Sequence, residues 1–336
     1  MLSISIVIPT MNRLESLKRT ISHIVSGNVL PQEIIIVDQT QDETIIEATQ
    51  AFLKKQCIKC IYLHQEQPSL TKARNYGMDW VSSDLVIQMD DDVDICINTL
   101  STIIDIFSNN NVAMLAGINE GYNSKPQSFL GYLFWKKNWF KRKIGHVTLS
   151  MYGRFPTHID SITDTEWAMG FFSVYRTFLI RKWNLKWDEH LINYAYPEDL
   201  DFSYSYYKYA KQEGFKCVMS NRVIVKHNVT QEWRIPSQKH TRMIILNREY
   251  LRYKHHGNNF ISKLATEWAD YGEFLRRYLK HEAPNDLREA VKEKKQESKK
   301  LEKVTYFVKK RFTSTKDAKQ KTTVRYPTNI LFIKTI

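Results

Sequence analysis

The first hundred residues alternate between two hydrophobic patterns, and this alternation restricts the fold more than any other feature. Short runs of β-branched apolar residues, which are typical of strands buried on both faces, occupy residues 4–8, 33–37, 58–63 and 85–89. Apolar residues at helical spacing occupy residues 13–26, 44–55 and 69–81. Strands that alternate with helices form right-handed β-α-β units. The pattern therefore predicts an α/β fold with a mostly parallel, Rossmann-like sheet flanked by helices.

Polar residues follow three of these strands, at residues 10–13, at Asp38 and at residues 90–94. In an open α/β sheet, ligands bind beyond the carboxyl ends of the strands, so these residues are the candidate site. The first strand is followed neither by a G-x-G-x-x-G sequence nor by a P-loop lysine. A dinucleotide-binding dehydrogenase and a P-loop NTPase are therefore disfavoured.

The formal net charge of +13 is concentrated in the last hundred residues. Residues 1–233 contain 24 Lys and Arg against 25 Asp and Glu, whereas residues 234–336 contain 25 against 11. The apolar residues of the second part keep helical spacing from residue 260 onwards. We therefore predict two domains, a near-neutral α/β domain at residues 1–233 and a basic helical C-terminal extension at residues 234–336.

Residues 121–145 are the one basic island of the first domain. They contain six Lys and Arg and no acidic residue, with seven aromatic residues interleaved. This composition suits a membrane interface or an extended binding groove. It equally suits an amphipathic helix that packs on the domain and extends its lysines into solvent. Both interpretations remain open.

The N-terminus and the cysteines indicate a cytoplasmic protein. The N-terminal apolar run is short and lacks the basic region of a signal peptide, and no run approaches the roughly 18 apolar residues of a membrane-spanning helix. Four cysteines do not form a disulfide scaffold, and Cys57 and Cys60 alone lack the ligands of a zinc site. We expect a soluble protein or one that is peripheral at the inner face of the cell membrane.

Three consecutive aspartates, Asp90, Asp91 and Asp92, follow the fourth predicted strand. Carboxylates at this density repel one another, and burial raises their pKa values unless a cation compensates. Their hard oxygen atoms suit Mg²⁺ or Mn²⁺, ions that bridge carboxylates and a diphosphate. An acidic turn exposed to solvent is the alternative from these three residues alone.

Five short motifs appear in a fixed order along the chain. They are residues 6–10 (Ile-Val-Ile-Pro-Thr) with Arg13, residues 35–38 (Ile-Ile-Val-Asp), residues 70–77 (Leu-Thr-Lys-Ala-Arg-Asn-Tyr-Gly), residues 88–92 (Gln-Met-Asp-Asp-Asp) and residues 197–202 (Pro-Glu-Asp-Leu-Asp-Phe). With these motifs the chain resembles the family-2 glycosyltransferases of GT-A fold, which are inverting enzymes that use nucleotide sugars. The resemblance covers roughly residues 3–230 and leaves the basic extension outside.

The resemblance implies a role for each residue that matches a motif. The implied nucleotide-binding residues are Pro9, Thr10, Arg13, Asp38, Lys72, Arg74, Asp90 and Asp91. The implied metal ligands are Asp90 and Asp92 of the Asp-x-Asp, with His227 as a further candidate. From the residues alone, the alternatives are a strand-end cap for Asp38, a surface residue of a helix for Arg74 and a structural histidine for His227.

Glu198 and Asp199 form the second candidate centre. Inverting transfer needs a carboxylate that takes the proton of the acceptor hydroxyl, and the resemblance assigns this role to Asp199, beside Glu198. The same sequence is also a good start for a helix, so a capping role remains open. Trp167, Met169 and Gly170 match a loop that shapes the donor-sugar and acceptor sites in the family.

The function that follows is a metal-dependent inverting glycosyltransferase with Mg²⁺ or Mn²⁺ as its cofactor. We expect it to move a sugar from a nucleoside-diphosphate sugar, a UDP-sugar by family frequency, to a hydroxyl of a glycan or lipid-linked acceptor in cell-surface polysaccharide synthesis. An anionic membrane, bound through residues 121–145 or 234–336, and a second copy of the chain are further expected partners. A nucleotidyltransferase and a nucleic-acid-binding protein that uses the basic tail are the alternatives.

Overall fold

The computed structural model describes residues 2–122, 129–141, 143–191, 196–228, 237–282 and 284–313. The chain divides into two compact units. The first unit comprises Met1–Tyr132, Lys137–Thr148 and Tyr152–Arg234, and the second comprises Leu133–Lys136, Leu149–Met151 and Ile235–Ile336. The roles predicted for residues 1–233 and 234–336 stay predictions, because compactness alone does not say what each part does.

Strands and helices alternate along the first unit, as the hydrophobic pattern predicts. The strands are β1 (Ile4–Thr10), β2 (Glu33–Asp38), β3 (Cys60–His64), β4 (Leu85–Met89), β5 (Val93–Asp94), β6 (Val112–Asn119), β7 (His146–Val147), β8 (Gly153–Arg154), β9 (Thr163–Asp164), β10 (Phe172–Arg176) and β11 (Lys216–His227). The α-helices in the described residues are α1 (Leu14–Val25), α2 (Glu43–Leu53), α3 (Leu70–Met78), α4 (Thr99–Ser108), α5 (Phe129–Leu133), α6 (Thr177–Lys182), α7 (Glu198–Gln212), α8 (Ser237–His256), α9 (Phe260–Lys280) and α10 (Pro284–Thr313).

Nine of the described strands form one sheet in the order β3-β2-β1-β4-β10-β6-β11-β5, with β9 paired to β11. The strands β3, β2, β1 and β4 are parallel to one another, and β11 is parallel to β6. Strand β10 is antiparallel to both β4 and β6, and β5 and β9 are antiparallel to β11. The predicted α/β class, with a mostly parallel sheet flanked by helices, is confirmed.

The core of the first unit lies on both faces of this sheet. The apolar residues of β1, β2 and β4 are almost completely buried, which explains why these strands consist mainly of apolar residues instead of alternating with polar ones. Helices α1 and α4 add Leu17, Ile21 and Ile103 to the same cluster. The sheet therefore fixes where its strands end, at Thr10, Asp38 and Met89, and these ends carry the polar residues of the candidate site.

The second unit consists mainly of α8, α9 and α10, and buried ion pairs connect these helices. Asp270 of α9 pairs with Arg248 of α8 at 2.9 Å and with Lys294 of α10 at 2.7 Å, and all three side chains are buried. Among the described residues, no helix is both long and apolar enough to cross a membrane.

The described part of the basic island at residues 121–145 contains the short helix α5 and a 3-10 turn at Trp139–Lys141. Residues 123–128 and Arg142 lie outside the described residues. Phe129 and Phe140 are exposed, whereas Phe134 is buried and lies against Trp268 within the second unit, with 5.3 Å between the ring centroids. Phe134 therefore has a packing role. A membrane or groove role for the exposed aromatic residues stays a prediction.

Candidate active site

The candidate site is assembled at the carboxyl ends of β1, β2 and β4, where parallel strands bring distant residues together. The antiparallel strand β10 begins beside this edge, so the backbone N–H of Asp90 donates to the carbonyl of Phe171 at 3.0 Å. Strand β11 ends there as well, because the backbone N–H of Asn228 donates to the carbonyl of Asp92 at 2.9 Å. The three aspartates are thus held from both sides by backbone hydrogen bonds.

The three consecutive aspartates are not equivalent. The Asp90 side chain is 33% exposed, whereas those of Asp91 and Asp92 are buried. Asp91 accepts a hydrogen bond from Thr10 Oγ1 at 2.7 Å and pairs with Arg13 Nη1 at 2.7 Å. Burial raises the pKa of Asp91 to about 7, although Arg13 and Thr10 act in the opposite direction. Asp91 therefore lies beneath the site, where it binds Thr10 and Arg13. The solvent-exposed acidic turn that the sequence left as an alternative does not form.

Asp90, Asp92 and His227 form a cluster that could hold a metal ion. One donor atom from each residue lies within 4.8 Å of the others. His227 Nε2 is 3.1 Å from Asp92 Oδ1 and 4.0 Å from Asp90 Oδ2. Carboxylate oxygens are the ligands that Mg²⁺ and Mn²⁺ prefer, and imidazole nitrogen is a common metal ligand. The donor set and its spacing therefore fit a divalent cation.

His227 is oriented by its neighbours. Its ring stacks on Phe171 at 4.8 Å between centroids, and its backbone N–H donates to Asn119 Oδ1 at 3.0 Å. Burial lowers the pKa of His227, but Asp92 and Asp90 outweigh this effect and the pKa lies above its usual value. Burial opposes ionisation of Asp92 in turn, and hydrogen bonds from His227 and Arg13 bring its pKa below the usual range.

Arg13 pairs with two of the three aspartates. It lies in the short connection between β1 and α1, and its guanidinium pairs with Asp91 at 2.7 Å and with Asp92 at 2.7 Å. The described contacts of Arg13 thus direct it to the aspartates, and a direct nucleotide contact stays a prediction.

Asp38 lies at the end of β2 and is buried. Its Oδ1 accepts a hydrogen bond from the Thr40 backbone N–H at 2.9 Å, and its Oδ2 accepts one from the Tyr62 hydroxyl at 3.0 Å. Burial and the neighbouring Asp38 raise the pKa of Tyr62 above its usual value. Tyr62 was not predicted from the sequence, although its place on β3, beside β2, is the signal that could have found it.

Arg74 connects the two predicted centres. This α3 side chain is only 2% exposed, so the alternative of a surface residue is wrong. Its Nη1 lies 2.9 Å from Glu198 Oε1, and its Nη2 lies 3.2 Å from both Asp90 Oδ1 and the carbonyl of Gly170. Burial opposes the charge on Arg74, but Glu198 and Asp90 raise its pKa above the usual value.

Glu198 and Asp199 begin α7 and face different partners. Glu198 is buried against Arg74. Asp199 accepts hydrogen bonds from two backbone N–H groups, that of Gly170 at 2.9 Å and that of Leu200 at 2.7 Å. Burial raises the pKa values of both carboxyl groups, and repulsion from Asp199 adds to the effect on Glu198. The pair therefore combines a carboxyl group bound to Arg74 with one held by backbone amides.

Gly170 touches both centres through its backbone. Its N–H binds Asp199 and its carbonyl accepts from Arg74. A Cβ atom at this position would lie 2.9 Å from Arg74 Nη2 and 3.1 Å from the Asp199 Cβ, which is tighter than ordinary packing. The site therefore requires a residue without a side chain here.

The remaining predicted residues lie outside this cluster. Trp167 is buried, stacks on Phe155 at 4.6 Å and donates from Nε1 to the carbonyl of Arg154 at 3.2 Å. Met169 packs against the main core. Pro9 is buried within β1, and Lys72 is exposed on α3. The structure thus brings Thr10, Arg13, Arg74, Asp90, Asp91, Asp92, Gly170, Glu198, Asp199 and His227 together.

Comparison with known proteins connects this arrangement with a family. A family model described as Glycosyl transferase family 2 matches residues 5–177. No curated protein sequence matches the chain significantly.

The solved structures that are similar to this chain include a mannosyltransferase and GalNAc-T7. The mannosyltransferase PcManGT from Pyrobaculum calidifontis, in complex with GDP-Man and Mn²⁺, has a TM-score of 0.53 and 10% identity over 83% of this chain and 75% of its own. GalNAc-T7 with UDP, GalNAc and Mn²⁺ has a TM-score of 0.56 and 15% identity over 81% of this chain and 55% of its own, so this chain spans about half of that protein. At these identities the likeness concerns the fold, and the predicted GT-A fold is confirmed.

Proposed function

This chain belongs to glycosyl transferase family 2, and on that premise we propose a metal-dependent, inverting transfer of a sugar from a nucleoside-diphosphate sugar to a hydroxyl group of a glycan or lipid-linked acceptor. The observation that carries the proposal is the position of Arg74 between Asp90 and Glu198. One guanidinium joins the candidate metal ligands to the carboxyl pair that contains the candidate base. The residues that would bind the metal and the residue that would activate the acceptor hydroxyl are therefore close enough to act in one reaction.

Asp90, Asp92 and His227 would hold Mg²⁺ or Mn²⁺, and the ion, when bound, would neutralise charge that develops on the departing diphosphate. Mn²⁺ accompanies the nucleotide in both similar structures, which supports this cofactor. Arg74 lies beside Asp90 and adds a fixed positive charge on the same side of the site.

Asp199 is the better candidate for the base of the carboxyl pair. Glu198 is buried and bound to Arg74, which makes it a positioning residue. Asp199 is less buried, and the backbone N–H groups of Gly170 and Leu200 fix the direction of its carboxylate. Its raised pKa makes it a stronger base than an ordinary aspartate. Asp199 would take the proton of the acceptor hydroxyl as the anomeric carbon is attacked.

The nucleotide is proposed to lie over the carboxyl ends of β1 and β2, beside Pro9, Thr10 and Asp38, the general ligand position in such sheets. The two similar structures contain different nucleotides, GDP-Man and UDP, so they do not favour one base. UDP-sugars are the first donors to test because they are the most frequent in the family. Trp167 and Met169 are proposed to affect the donor-sugar site indirectly, by fixing the position of Gly170.

The proposed setting is cell-surface polysaccharide synthesis, with residues 1–233 as the catalytic part and residues 234–336 as the part that contacts an acceptor, an anionic membrane or a second subunit. The excess of basic residues in the second part favours an anionic partner. Family membership argues against the nucleotidyltransferase and nucleic-acid-binding alternatives.

A donor screen tests this proposal. The full chain is incubated with a panel of nucleotide sugars and Mn²⁺, and release of free nucleoside diphosphate is measured, with and without excess EDTA. We expect slow hydrolysis of one donor that EDTA abolishes and that added Mn²⁺ restores. Equal hydrolysis in EDTA would overturn the metal dependence, and pyrophosphate release from a nucleoside triphosphate and a sugar phosphate would overturn the reaction class. Inversion is checked from the anomeric configuration of the product by NMR.

A further inference from the structure

Helix α9 carries an apolar stripe that is largely exposed, and within it Trp268 and Tyr271 also contact Phe134 of the same unit, with 5.3 and 6.2 Å between the ring centroids. Its buried face consists of small and polar residues, namely Ser262, Ala265, Thr266, Ala269, Asp270 and Gly272. The opposite face carries large apolar side chains that are exposed or half-buried, namely Phe260, Ile261, Leu264, Trp268, Tyr271, Leu275, Tyr278 and Leu279. A soluble helix normally buries its apolar face. Contiguous apolar surface of this kind marks an interaction site.

The stripe has the spacing of a coiled-coil seam. Its central residues, Ile261, Leu264, Trp268, Tyr271, Leu275 and Tyr278, follow one another at intervals of three and four residues. A strict seven-residue repeat keeps one narrow line of side chains facing a partner helix. The repeat runs over about 26 Å at 1.5 Å per residue. It therefore indicates a helix of similar length as the partner.

We propose that the partner is a second copy of this chain, and that two α9 helices pack antiparallel about a twofold axis between Trp268 and Tyr271. A twofold axis brings the same surface of both copies together, so the stripe must complement itself. In this register Trp268 meets Tyr271 of the other copy and Leu264 meets Leu275. The aromatic residues at either end, Phe260 and Tyr278, meet the aliphatic Leu279 and Ile261. Each large ring is thus matched by a side chain that can accommodate it.

The exposed area is sufficient for a stable dimer. Phe260, Trp268, Tyr271 and Tyr278 are 75%, 39%, 53% and 61% exposed. With about 200 Å² for each aromatic side chain, they leave roughly 450 Å² on each copy. Two copies bury about 900 Å² from these residues alone, and the exposed aliphatic residues of the stripe raise the total above the ~1,000 Å² that specific interfaces require.

An anionic membrane fits this particular stripe less well. Glu267 is exposed one turn from both Leu264 and Tyr271, so a carboxylate borders the middle of the stripe. Helices that lie in an anionic membrane surface have Lys and Arg beside their apolar face. The observations therefore favour a protein partner for α9.

The mass of the full chain in solution tests the proposal without any need for activity. Multi-angle light scattering at micromolar concentration should give twice the monomer mass of 39.8 kDa. The variant Leu264→Glu/Tyr271→Glu should halve the measured mass, because it buries four carboxylates in the seam. Both residues are exposed, so the fold of each copy should be unaffected, and circular dichroism checks this. Lys280→Glu, on the opposite side of α9, is the matched control and should stay dimeric.

Disulfide formation tests the register. In a background with the exposed Cys57 and Cys96 changed to Ser, Leu264→Cys and Leu275→Cys are made as separate proteins and mixed under mild oxidation. Antiparallel packing should give mixed-disulfide dimers in the mixture and little product from either protein alone, since the bond needs Cα atoms within about 7 Å. Self-linking of each variant would instead indicate parallel packing and overturn the register. A monomeric wild-type chain, or vesicle binding that the double variant abolishes, would overturn the dimer.

Discussion

Arg74 Nη1 lies 2.9 Å from Glu198 Oε1, although 124 positions separate the two residues in the chain. Both side chains are buried, and the other nitrogen of the same guanidinium lies 3.2 Å from Asp90. The pair therefore connects the end of β4 with the start of α7. A substitution at one of these two centres should therefore change the measured properties of the other.

Replacing Arg74 should destabilise the protein strongly. Arg74→Met leaves the Glu198 carboxylate buried without its partner, and breaking a buried pair in this way costs about 3–5 kcal/mol. The double variant Arg74→Met/Glu198→Gln should recover part of the loss, because no charge is then left unpaired. Urea denaturation measures the free energy of unfolding. Lys72→Met changes an exposed position on the same helix, and its free energy of unfolding should stay within about 0.5 kcal/mol of the wild-type value. An equal loss of stability in Arg74→Met and Lys72→Met would contradict the pairing.

Gly170→Ala should reduce turnover more strongly than it weakens nucleotide binding, because Arg74 keeps its anchors at Glu198 and Asp90. The added methyl group would meet Arg74 and the Asp199 Cβ at 2.9 and 3.1 Å, so the base is displaced. A displacement of about 1 Å can cost 100-fold in rate. Steady-state kinetics and nucleotide titration separate kcat from binding. Gly131→Ala, where the methyl group would meet only the flexible Lys137 side chain, is the control and should behave as the wild type.

Asp199→Asn should abolish most of the transfer activity. An amide cannot take the proton of the acceptor hydroxyl, and a positioned general base contributes about 10²–10⁴-fold. The variant should still bind the donor nucleotide, because Asn keeps the shape of the side chain. Glu213→Gln, just past the other end of α7, serves as the control. Transfer by Asp199→Asn at the wild-type rate would show that another group is the base.

The pH dependence of the reaction should report the same carboxyl pair. Asp199 acts only when deprotonated, and its pKa is raised mainly by burial, so kcat/KM should fall with decreasing pH at higher pH values than for an ordinary aspartate. Glu198→Gln removes a neighbouring negative charge and releases Arg74, and both changes favour the ionised form of Asp199. The acidic limb of the profile should therefore move to lower pH in this variant. A profile that keeps its midpoint would argue that Asp199 does not titrate in the reaction.

Metal binding should stabilise the folded protein through Asp92. At 100 times its dissociation constant, a ligand that binds only the folded state adds about 2.7 kcal/mol. Mn²⁺ should therefore raise the melting temperature of the wild type and have little effect on Asp92→Asn. Asp94→Asn is the matched control, since Asp94 pairs with Arg19 and lies outside the donor set. Thermal denaturation with and without Mn²⁺ measures the difference, and an equal rise in all three proteins would reject the assigned ligand.

Much of the sheet was predictable, because mainly apolar strands such as β2 and amphipathic helices such as α1 have strong local signals. The aspartates at the strand ends were predictable for the same reason. The burial of Arg74 was not, since an arginine in the first turns of a short helix is usually exposed. Its environment depends on Gly170 and Glu198, which lie 96 and 124 residues away, and no local pattern encodes those contacts.

Helix α9 illustrates a second limit. The spacing of its apolar residues correctly predicted a helix after residue 260, but it did not indicate which face would be buried. The small residues Ala265 and Ala269 allow close approach of the neighbouring helices, and Asp270 pairs with two buried cations. Tertiary packing thus selected the polar and small face, and the large apolar side chains remained outside.

The antiparallel strand β10 also has a consequence for synthesis of the protein. Strand β4 pairs with β1 on one side, whereas its other partner, β10, is made about 80 residues later. At 5–20 residues per second this delay is roughly 4–16 s. During that time the nascent chain carries an apolar strand with an open edge, which is prone to incorrect pairing. The open edge of β4 can be covered only after β10, which begins at Phe172, has been synthesised.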